Sequence, residues 1–410
     1  MKEAGGLARY RALFAHRAVT LLVTAQLFTR LGDQFVMIGL LWEALELTHR
    51  ASSAGLVLMA YTSGGLGFGL FSGSLLDRFP RKLLMLSDNA LRCAVLAGMA
   101  VAAWRHALTI DWLIVLAILS SAAAAITMVG VRAYLPTMLP EGLIVTAFAV
   151  DSAQFQIASI VGPALAGLVT ARYGAVVSLS VAAGLFACFV ALAAFIPSKS
   201  LDTGVPPQAR PLSANEELRG ARYILTHPVL RPMTMLLTVG NFFFGVFIVG
   251  LAFLSKDVFG GAAQGQGIML AALAAGALLA SLAMGSVRWP WPRGLSFIVA
   301  NVLLGVFVLF VGLAPSLAIA CVLLACLGAV DAALFIWMSE IRQRTPPPEL
   351  VARVIGASML LNVVSVPFAQ ATAGFAVTPL GVRPMLELSG GLLFLYSLFF
   401  FGNAALRKEP

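Results

Sequence analysis

Charge is what this 410-residue sequence lacks most. Asp, Glu, Lys and Arg make up 11% of the residues, whereas a soluble domain carries about a quarter. Hydrophobic residues make up 60%, so a soluble globular domain is excluded. A signal peptide followed by a soluble domain is excluded as well, because apolar runs recur along the whole sequence.

Cysteine is also scarce. We expect all four cysteines to be small packing residues, because they lie inside apolar runs and lack the C-x-x-C spacing. They are Cys93, Cys188, Cys321 and Cys326. The sequence likewise lacks HExxH, GxSxG and a nucleotide-binding glycine loop. These absences argue against an enzyme, and we predict neither a metal nor a cofactor.

Long apolar runs, by contrast, are abundant. A helix that crosses a bilayer needs roughly 20 mostly apolar residues. Twelve such runs predict an all-α polytopic membrane protein with twelve transmembrane helices. The predicted spans, numbered 1 to 12, are residues 18–42, 51–76, 83–103, 110–131, 144–171, 175–196, 231–255, 266–287, 294–313, 316–338, 354–378 and 384–405.

The basic residues predict how these spans are oriented. Of the 27 Lys and Arg residues, twenty lie at the two chain ends, in loops after even-numbered spans or, in the case of Arg231, at the first residue of the span that follows such a loop. Five lie in loops after odd-numbered spans. Because cytoplasmic loops carry an excess of Lys and Arg, both ends of the chain are predicted to be cytoplasmic. The net charge of +9 is therefore a topology signal, and we expect no nucleic-acid partner.

A polar stretch divides the predicted spans into two sets of six. Residues 197–230 begin with a proline-rich segment typical of a flexible linker and continue as a short surface helix that Pro228 ends. We predict an N-terminal six-helix half (1–196), this cytoplasmic linker, and a C-terminal six-helix half (231–410). This division indicates a duplicated architecture.

The loop after span 2 carries a charged motif, Gly73-Ser-Leu-Leu-Asp77-Arg78-Phe-Pro-Arg81-Lys82. The motif resembles G-x-L-x-D-R-x-G-R-[KR] of the major facilitator superfamily, with Pro80 in place of one glycine. The resemblance implies a gate in which Asp77 holds the cytoplasmic side shut near a helix N-terminus, where the helix dipole stabilises a carboxylate. Arg132 or Arg353 would be its cationic partner. Taken without the resemblance, the loop is explained as a positive-inside signal.

Span 5 contains a stretch of small residues around a proline, Ala158-Ser-Ile-Val-Gly162-Pro163-Ala-Leu-Ala166-Gly167. Proline inside a helix removes a hydrogen bond, and small residues let another helix approach closely. The stretch resembles the antiporter signature g-x-x-x-G-P-x-x-G-G of the same superfamily, with alanine at two glycine positions. This resemblance implies export, with Gly162, Pro163 and Gly167 acting in the conformational change. Helix packing alone is the alternative.

Ionisable residues inside a membrane are functional candidates, because each costs roughly 2.5–3.5 kcal/mol to insert. Span 1 contains Arg30 and Asp33 beside Gln34, and the i, i+3 spacing predicts that Arg30 pairs with Asp33. The alternative is that this pair only fixes helix packing. The superfamily lines its transport cavity with spans 1, 4, 7 and 10. This resemblance adds Asn241 and Asp331 to the substrate- or proton-binding candidates.

Three other ionisable residues are predicted to lie near the membrane surface. Asp88 and Arg92 have i, i+4 spacing at the start of span 3, which predicts an interfacial ion pair. Asp151 enters span 5 two turns from the cytoplasm, and we expect its side chain to reach that surface. No histidine lies in the middle of a predicted span, so a carboxylate must carry any coupled proton.

Two further stretches resemble one branch of the superfamily. The loop helix from Gly220 to Pro228 and the segment from Gln343 to Asn362 are similar to the third drug:proton antiporter family, the bacterial siderophore and macrolide exporters. The residues around Asp33 are equally similar to the bacterial lysophospholipid transporter. We therefore predict a monomeric proton antiporter of the bacterial inner membrane that exports a small amphipathic molecule. A lysophospholipid flippase, a membrane-embedded enzyme and a nontransporting sensor are the alternatives.

Cysteine labelling tests the predicted orientation. In a variant without the four native cysteines, Lys2→Cys and Pro206→Cys should resist a membrane-impermeant maleimide added outside, because both positions are predicted to be cytoplasmic. Lys256→Cys should react with the same reagent. The opposite labelling pattern would overturn the assignment of the spans.

Overall fold

The structure of the protein, a computed structural model, describes residues 6–134, 138–197, 214–284 and 289–409, and helices joined by short loops make up these ranges. No strand occurs in these ranges. A π-helical turn, Leu254–Val258, follows α9. The α-helices are α1 (Gly6–Ala15), α2 (Arg17–Thr48), α3 (Ala51–Arg78), α4 (Arg81–Trp104), α5 (Ile110–Tyr134), α6 (Glu141–Tyr173), α7 (Ala175–Ala194), α8 (Ala214–Thr226), α9 (Leu230–Phe253), α10 (Ala262–Met284), α11 (Arg293–Leu313), α12 (Leu317–Arg344), α13 (Val351–Val363), α14 (Ser365–Leu380), α15 (Val382–Phe399) and α16 (Ala404–Arg407).

Twelve helical spans coincide with those predicted from the sequence, which confirms the all-α polytopic fold. Helices α2 to α7 match spans 1 to 6, and α9 to α12 match spans 7 to 10. Helices α13 and α14 together form span 11, and α15 forms span 12. Among the described residues, nine helical segments are individually long and apolar enough to cross a membrane, and α1 with α2 adds a tenth if that bent pair is counted as one.

Proline explains why span 11 is made of two helices. Helix α13 ends at Val363 and α14 begins at Ser365. Pro367 has no backbone N–H, so the carbonyl of Val363 four residues earlier loses its helical hydrogen bond. Helix α6, by comparison, continues through Pro163.

Two compact units make up the chain. As far as these ranges are described, they comprise Met1–His49 with Ala60–Pro211, and Arg50–Met59 with Leu212–Pro410. The chain changes unit inside the predicted linker. The first turns of α3 belong to the second unit, where Gly55 packs directly against Gly374 of α14. The predicted division into two halves at the linker stays a prediction.

Helix α2 is the central helix of the first unit. It packs against α5, α6 and α7, and α4 packs against α5 and α7. Two glycines of α2 make its contact with α7 close: a Cβ atom on Gly32 would lie 3.0 Å from Cζ of Phe186, and one on Gly39 would lie 2.9 Å from Cδ2 of Leu179. The residues that surround α2 therefore approach its backbone directly.

The second unit is held together by two close helix crossings. Where α10 crosses α12, Gly276 faces the carbonyl of Ala325 and Gly328 faces the carbonyl of Leu273. Where α11 crosses α15, a Cβ atom on Gly305 would lie 2.6 Å from the backbone nitrogen of Phe394. Small residues drive such contacts in membranes, where apolar burial between helices adds little because lipid is equally apolar.

Substitution of Gly276 tests the α10–α12 crossing. Gly276→Ala should destabilise the protein by about 1–3 kcal/mol, because the new methyl group would overlap the Ala325 carbonyl and push the helices apart. Thermal unfolding of the purified protein measures this effect. Gly98→Ala is the matched control, since no atom lies within 4 Å of its added Cβ, and it should be neutral or stabilise by up to about 1 kcal/mol. Equal stability of the two variants would contradict the proposed role of the crossing.

Candidate functional site

The ionisable residues inside the first unit gather around α2. It contributes Arg30 and Asp33, α4 contributes Arg92, and α6 contributes Asp151. The exposed fractions of their side chains are 12% for Arg30, 6% for Asp151, 1% for Arg92 and 38% for Asp33. Asp33 is therefore the member of this cluster that a ligand or a proton can reach.

Asp33 forms an ion pair with the buried guanidinium of Arg92. The Cζ atom of Arg92 lies 3.8 Å from the centroid of the Phe186 ring, a cation–π contact. Phe186 can approach this closely because Gly32 has no side chain. The hydroxyl of Tyr61 lies beside the same guanidinium. A ring, a hydroxyl and a carboxylate from different helices thus hold one buried cation.

The prediction that Arg30 pairs with Asp33 is wrong. Arg30 donates hydrogen bonds to both the carboxylate and the backbone carbonyl of Asp151, and its Cζ atom lies 5.7 Å from the Phe155 ring centroid. Asp151 does not reach the membrane surface as expected, because it is buried in this pair. Pairing between α2 and α6 neutralises a charge on each helix, whereas a pair within α2 would leave Asp151 buried without a counterion.

The predicted interfacial pair of Asp88 and Arg92 is also wrong. Arg92 turns to Asp33, and Asp88 is itself 2% exposed. Its Oδ2 atom accepts a hydrogen bond of 2.9 Å from the backbone N–H of Thr127 in α5. Its Oδ1 atom has no hydrogen-bond partner among the described residues. The i, i+4 spacing misled because α4 is buried at both positions and offers each side chain partners on other helices.

A layer of neutral polar side chains lies beside this cluster, and the sequence analysis missed it. Thr29 of α2 donates a 3.0 Å hydrogen bond to Oδ1 of Asn89 in α4, and Nδ2 of Asn89 donates a 2.8 Å bond to the hydroxyl of Thr127. Three helices are joined by these two buried bonds. An asparagine within an apolar run directly after an aspartate was the available signal.

Gln34, a predicted binding residue, contacts Gly162, a residue predicted to act in the conformational change, where α2 crosses α6. A Cβ atom on Gly162 would lie 2.6 Å from Cγ of Gln34, so only glycine fits at this position. Pro163 and Gly167 are buried on the same helix. At Gly162, the antiporter-like stretch therefore forms a close helix contact inside the first unit.

The second unit contains two of the predicted substrate- or proton-binding residues, Asp331 and Asn241, and their surroundings differ. Asp331 lies at the middle of α12 with an exposed side chain, and no described residue forms an ion pair with it. Asn241 of α9 is half-buried. A charged residue at the middle of a transmembrane helix is expected to face a water-accessible path rather than lipid.

An amphipathic groove lies on α12, beginning one turn after Asp331. It has a volume of about 440 Å³. Its lining combines an aromatic and an aliphatic side chain with polar and charged ones, namely Phe335, Ile336, Ser339, Glu340, Gln343 and Arg344. Such a lining suits a ligand with both apolar and polar parts.

Two of the predicted gating residues have described contacts. Lys82 donates hydrogen bonds to the carbonyls of Ala194 (2.9 Å) and Ile196 (2.5 Å) at the end of α7, where a cation is favoured by the helix dipole. The backbone of Arg353 packs against Gly220 of α8, whose Cβ would lie 2.5 Å from the Arg353 carbonyl oxygen. The other predicted gating residues are not among those whose surroundings the structure describes: Gly73, Asp77, Arg78, Arg81 and Arg132.

The described residues offer no resident metal site. No three His, Cys, Asp or Glu side chains in this part of the chain are arranged to hold a metal ion. All four cysteines are free thiols.

Comparison with known sequences identifies a transporter family. A sequence model described as the Major Facilitator Superfamily matches residues 22–370. The chain is 26% identical over 386 residues to the multidrug efflux pump Tap of Mycolicibacterium fortuitum, covering 92% of this chain and 93% of that protein. It is 24% identical over 398 residues to the enterobactin exporter EntS of Escherichia coli O1:K1 / APEC, covering 92% and 91%.

Solved structures share the fold. The nucleoside transporter NupG superimposes with a TM-score of 0.75 at 15% identity, covering 96% of this chain and all of that one. A mutant of the peptide transporter POT gives a TM-score of 0.76 at 13% identity, with 95% of each chain covered. At these identities the likeness concerns the fold alone.

Substitution of Asp151 tests the buried pair of the first unit. Asp151→Asn should destabilise the protein by about 3–5 kcal/mol, because the charge of Arg30 would stay buried without its carboxylate. The double variant Arg30→Met/Asp151→Leu removes both charges and should recover most of that loss. Thermal unfolding measures both.

The matched control for this prediction is an exposed ion pair. Arg344 pairs with Glu340 four residues earlier and its side chain is 72% exposed, so Arg344→Gln should change stability by at most about 1 kcal/mol. If Asp151→Asn were as mild as Arg344→Gln, the buried pair would not stabilise the fold.

Proposed function

Because the chain belongs to the major facilitator superfamily, a family of membrane transporters, we propose that it is a secondary active exporter that exchanges protons for an amphipathic small molecule. The observation that carries the proposal is the paired but accessible carboxylate of Asp33 in a cluster that is otherwise buried. A site near the middle of the membrane would be exposed alternately to either side. The relatives named as efflux pump and exporter support the outward direction.

The proposed substrate is a drug-like molecule or a siderophore. The names of Tap and EntS support these two classes respectively, and the mixed apolar and polar lining of the groove on α12 supports an amphipathic molecule. Both exposed ionisable groups at mid-span among the described residues are carboxylates, Asp33 and Asp331. Of the two classes, we therefore favour a drug-like molecule that carries positive charge. Gln34 and Asn241 are the proposed neutral contacts.

The proposed proton carrier is Asp33. It pairs with Arg92 in the present conformation and would take up a proton in a conformation where that pair is open. Arg92 itself is held by Phe186 and Tyr61, so movement of α2 rather than of the guanidinium would open the pair. Asp88 lies one turn before Arg92, and its Oδ1 atom has no hydrogen-bond partner in the described part of the chain, so it offers the guanidinium a second carboxylate. Asp331 is the second candidate for the coupled proton.

The proposed gate follows the superfamily motif. Asp77 would close the cytoplasmic side, with Gly73, Arg78, Arg81 and Lys82 in the same motif and Arg132 or Arg353 as the cation. The antiporter-like stretch at Gly162, Pro163 and Gly167 would bend or slide as the site changes sides. We further propose a monomer in the bacterial inner membrane with both termini in the cytoplasm, as the distribution of basic residues indicates.

A flux assay separates this proposal from its alternatives. Purified protein in proteoliposomes with an imposed pH gradient is offered ethidium as an amphipathic cation, enterobactin, or labelled lysophosphatidylethanolamine. Uphill movement of ethidium or enterobactin supports export. Movement of the lysophospholipid alone would identify the flippase suggested by the residues around Asp33. No movement of any probe, with folded protein, would favour a nontransporting sensor.

Replacing Asp33 tests proton coupling. Asp33→Asn should lose pH-driven accumulation and retain substrate counterflow, because counterflow needs no net proton movement. Both are measured in the same vesicles, and retained counterflow shows that the variant is folded. Full pH-driven accumulation by Asp33→Asn would make Asp33 structural and move the coupling role to Asp331, with Asp331→Asn as the matched variant. Asp33→Glu keeps the charge and should retain coupling.

A further inference from the structure

Helix α1 lies across the beginning of α2 rather than in line with it. The two helices meet at His16 and are bent by 93°. With 32 residues and a rise of 1.5 Å per residue, α2 is about 48 Å long and crosses a hydrocarbon core of about 30 Å without help. The ten residues of α1 are about 15 Å long and too short to cross it. With α2 across the bilayer, the 93° bend makes the axis of α1 parallel to the membrane plane.

One side of α1 is attached to the first unit. Leu13 is fully buried in a cluster that includes Val131 of α5 and Ala147 of α6. Helix α1 packs against α2 and α6. These contacts hold α1 beside the beginning of α2.

The neighbouring side of α1 is aromatic and exposed. Tyr10 and Phe14 are 41% and 47% exposed, and their i, i+4 spacing places them next to each other on the helix. Arg9 and Arg11 are exposed too, and at 100° per residue they flank the arc that contains Leu13, Tyr10 and Phe14. No acidic residue occurs in α1. The part of this arc that the protein leaves uncovered consists of two aromatic rings with an arginine on either side, residue types that an interfacial helix presents to lipid headgroups.

We propose that α1 binds anionic phospholipid, with the rings of Tyr10 and Phe14 at the boundary between headgroups and acyl chains and the guanidinium groups of Arg9 and Arg11 on lipid phosphates. A lipid surface fits better than a protein partner, because Tyr10 and Phe14 are exposed on a helix whose axis the 93° bend makes parallel to the membrane plane, beside the end of α2. Positive charge without a compensating acid selects anionic headgroups over zwitterionic ones.

The binding would act on the transport unit through Leu13. Helix α6, against which α1 packs, carries Asp151, and α2 carries its partner Arg30. Anionic lipid held by α1 would therefore restrain the two helices that form the buried ion pair. We expect the protein to unfold at a higher temperature in bilayers that contain phosphatidylglycerol than in phosphatidylcholine alone.

A fluorescent label on α1 tests the proposal. In a variant without the four native cysteines, Phe14→Cys carries an environment-sensitive bimane label, and the protein is placed in nanodiscs of phosphatidylcholine with or without phosphatidylglycerol. Phosphatidylglycerol should shift the emission to shorter wavelength and increase quenching by brominated acyl chains. Tyr10→Cys is a second labelling site if Phe14→Cys does not fold.

Charge variants decide whether the lipid charge matters. Arg9→Gln/Arg11→Gln should remove the dependence on phosphatidylglycerol, and so should about 1 M salt, where the screening length falls to about 3 Å. The matched control Arg105→Gln/Arg172→Gln removes two exposed arginines elsewhere in the first unit and should leave the shift unchanged. Emission that is insensitive to brominated lipid would show that α1 does not lie on the membrane. Equal quenching with and without phosphatidylglycerol would overturn its preference for anionic lipid.

Discussion

The cost of placing charge inside a bilayer organises the first unit. Arg92 is 1% exposed, and a buried guanidinium is tolerated only when a counterion and polarisable neighbours surround it. Asp33, Phe186 and Tyr61 provide that surrounding from α2, α7 and α3. Glycine at position 32 favours this arrangement, because a Cβ atom there would lie 3.0 Å from Cζ of Phe186 and would press the ring away from α2. In this unit, the residues that surround the buried guanidinium therefore also pack the helices together.

The sequence predicts the spans well and the ion pairs badly, for a physical reason. Span lengths follow from the thickness of the bilayer, which acts on each helix separately, so local hydrophobicity is sufficient. Pairing depends on which helices become neighbours. The i, i+3 spacing of Arg30 and Asp33 describes one helix, whereas the partners Asp151 and Arg92 come from 121 and 59 residues away. Nothing local distinguishes these partners.

The two units hold their helices together by partly different means. Both pack helices closely at glycines, such as Gly39 in the first and Gly276 in the second, but the first also buries two ion pairs between helices. No described residue forms an ion pair with Asp331, whereas Asp33 pairs with Arg92. The two units thus differ at these two carboxylates.

This difference bears on how transport could be coupled. A carboxylate without a counterion binds a cation or a proton in every conformation, so it supplies affinity but no direction. A carboxylate paired with a fixed guanidinium binds them only when the pair is open, so its affinity depends on where α2 lies relative to Arg92. A ligand shifts a conformational equilibrium only through such differential binding. The fixed position of Arg92 is what would turn movement of α2 into a change of affinity at Asp33.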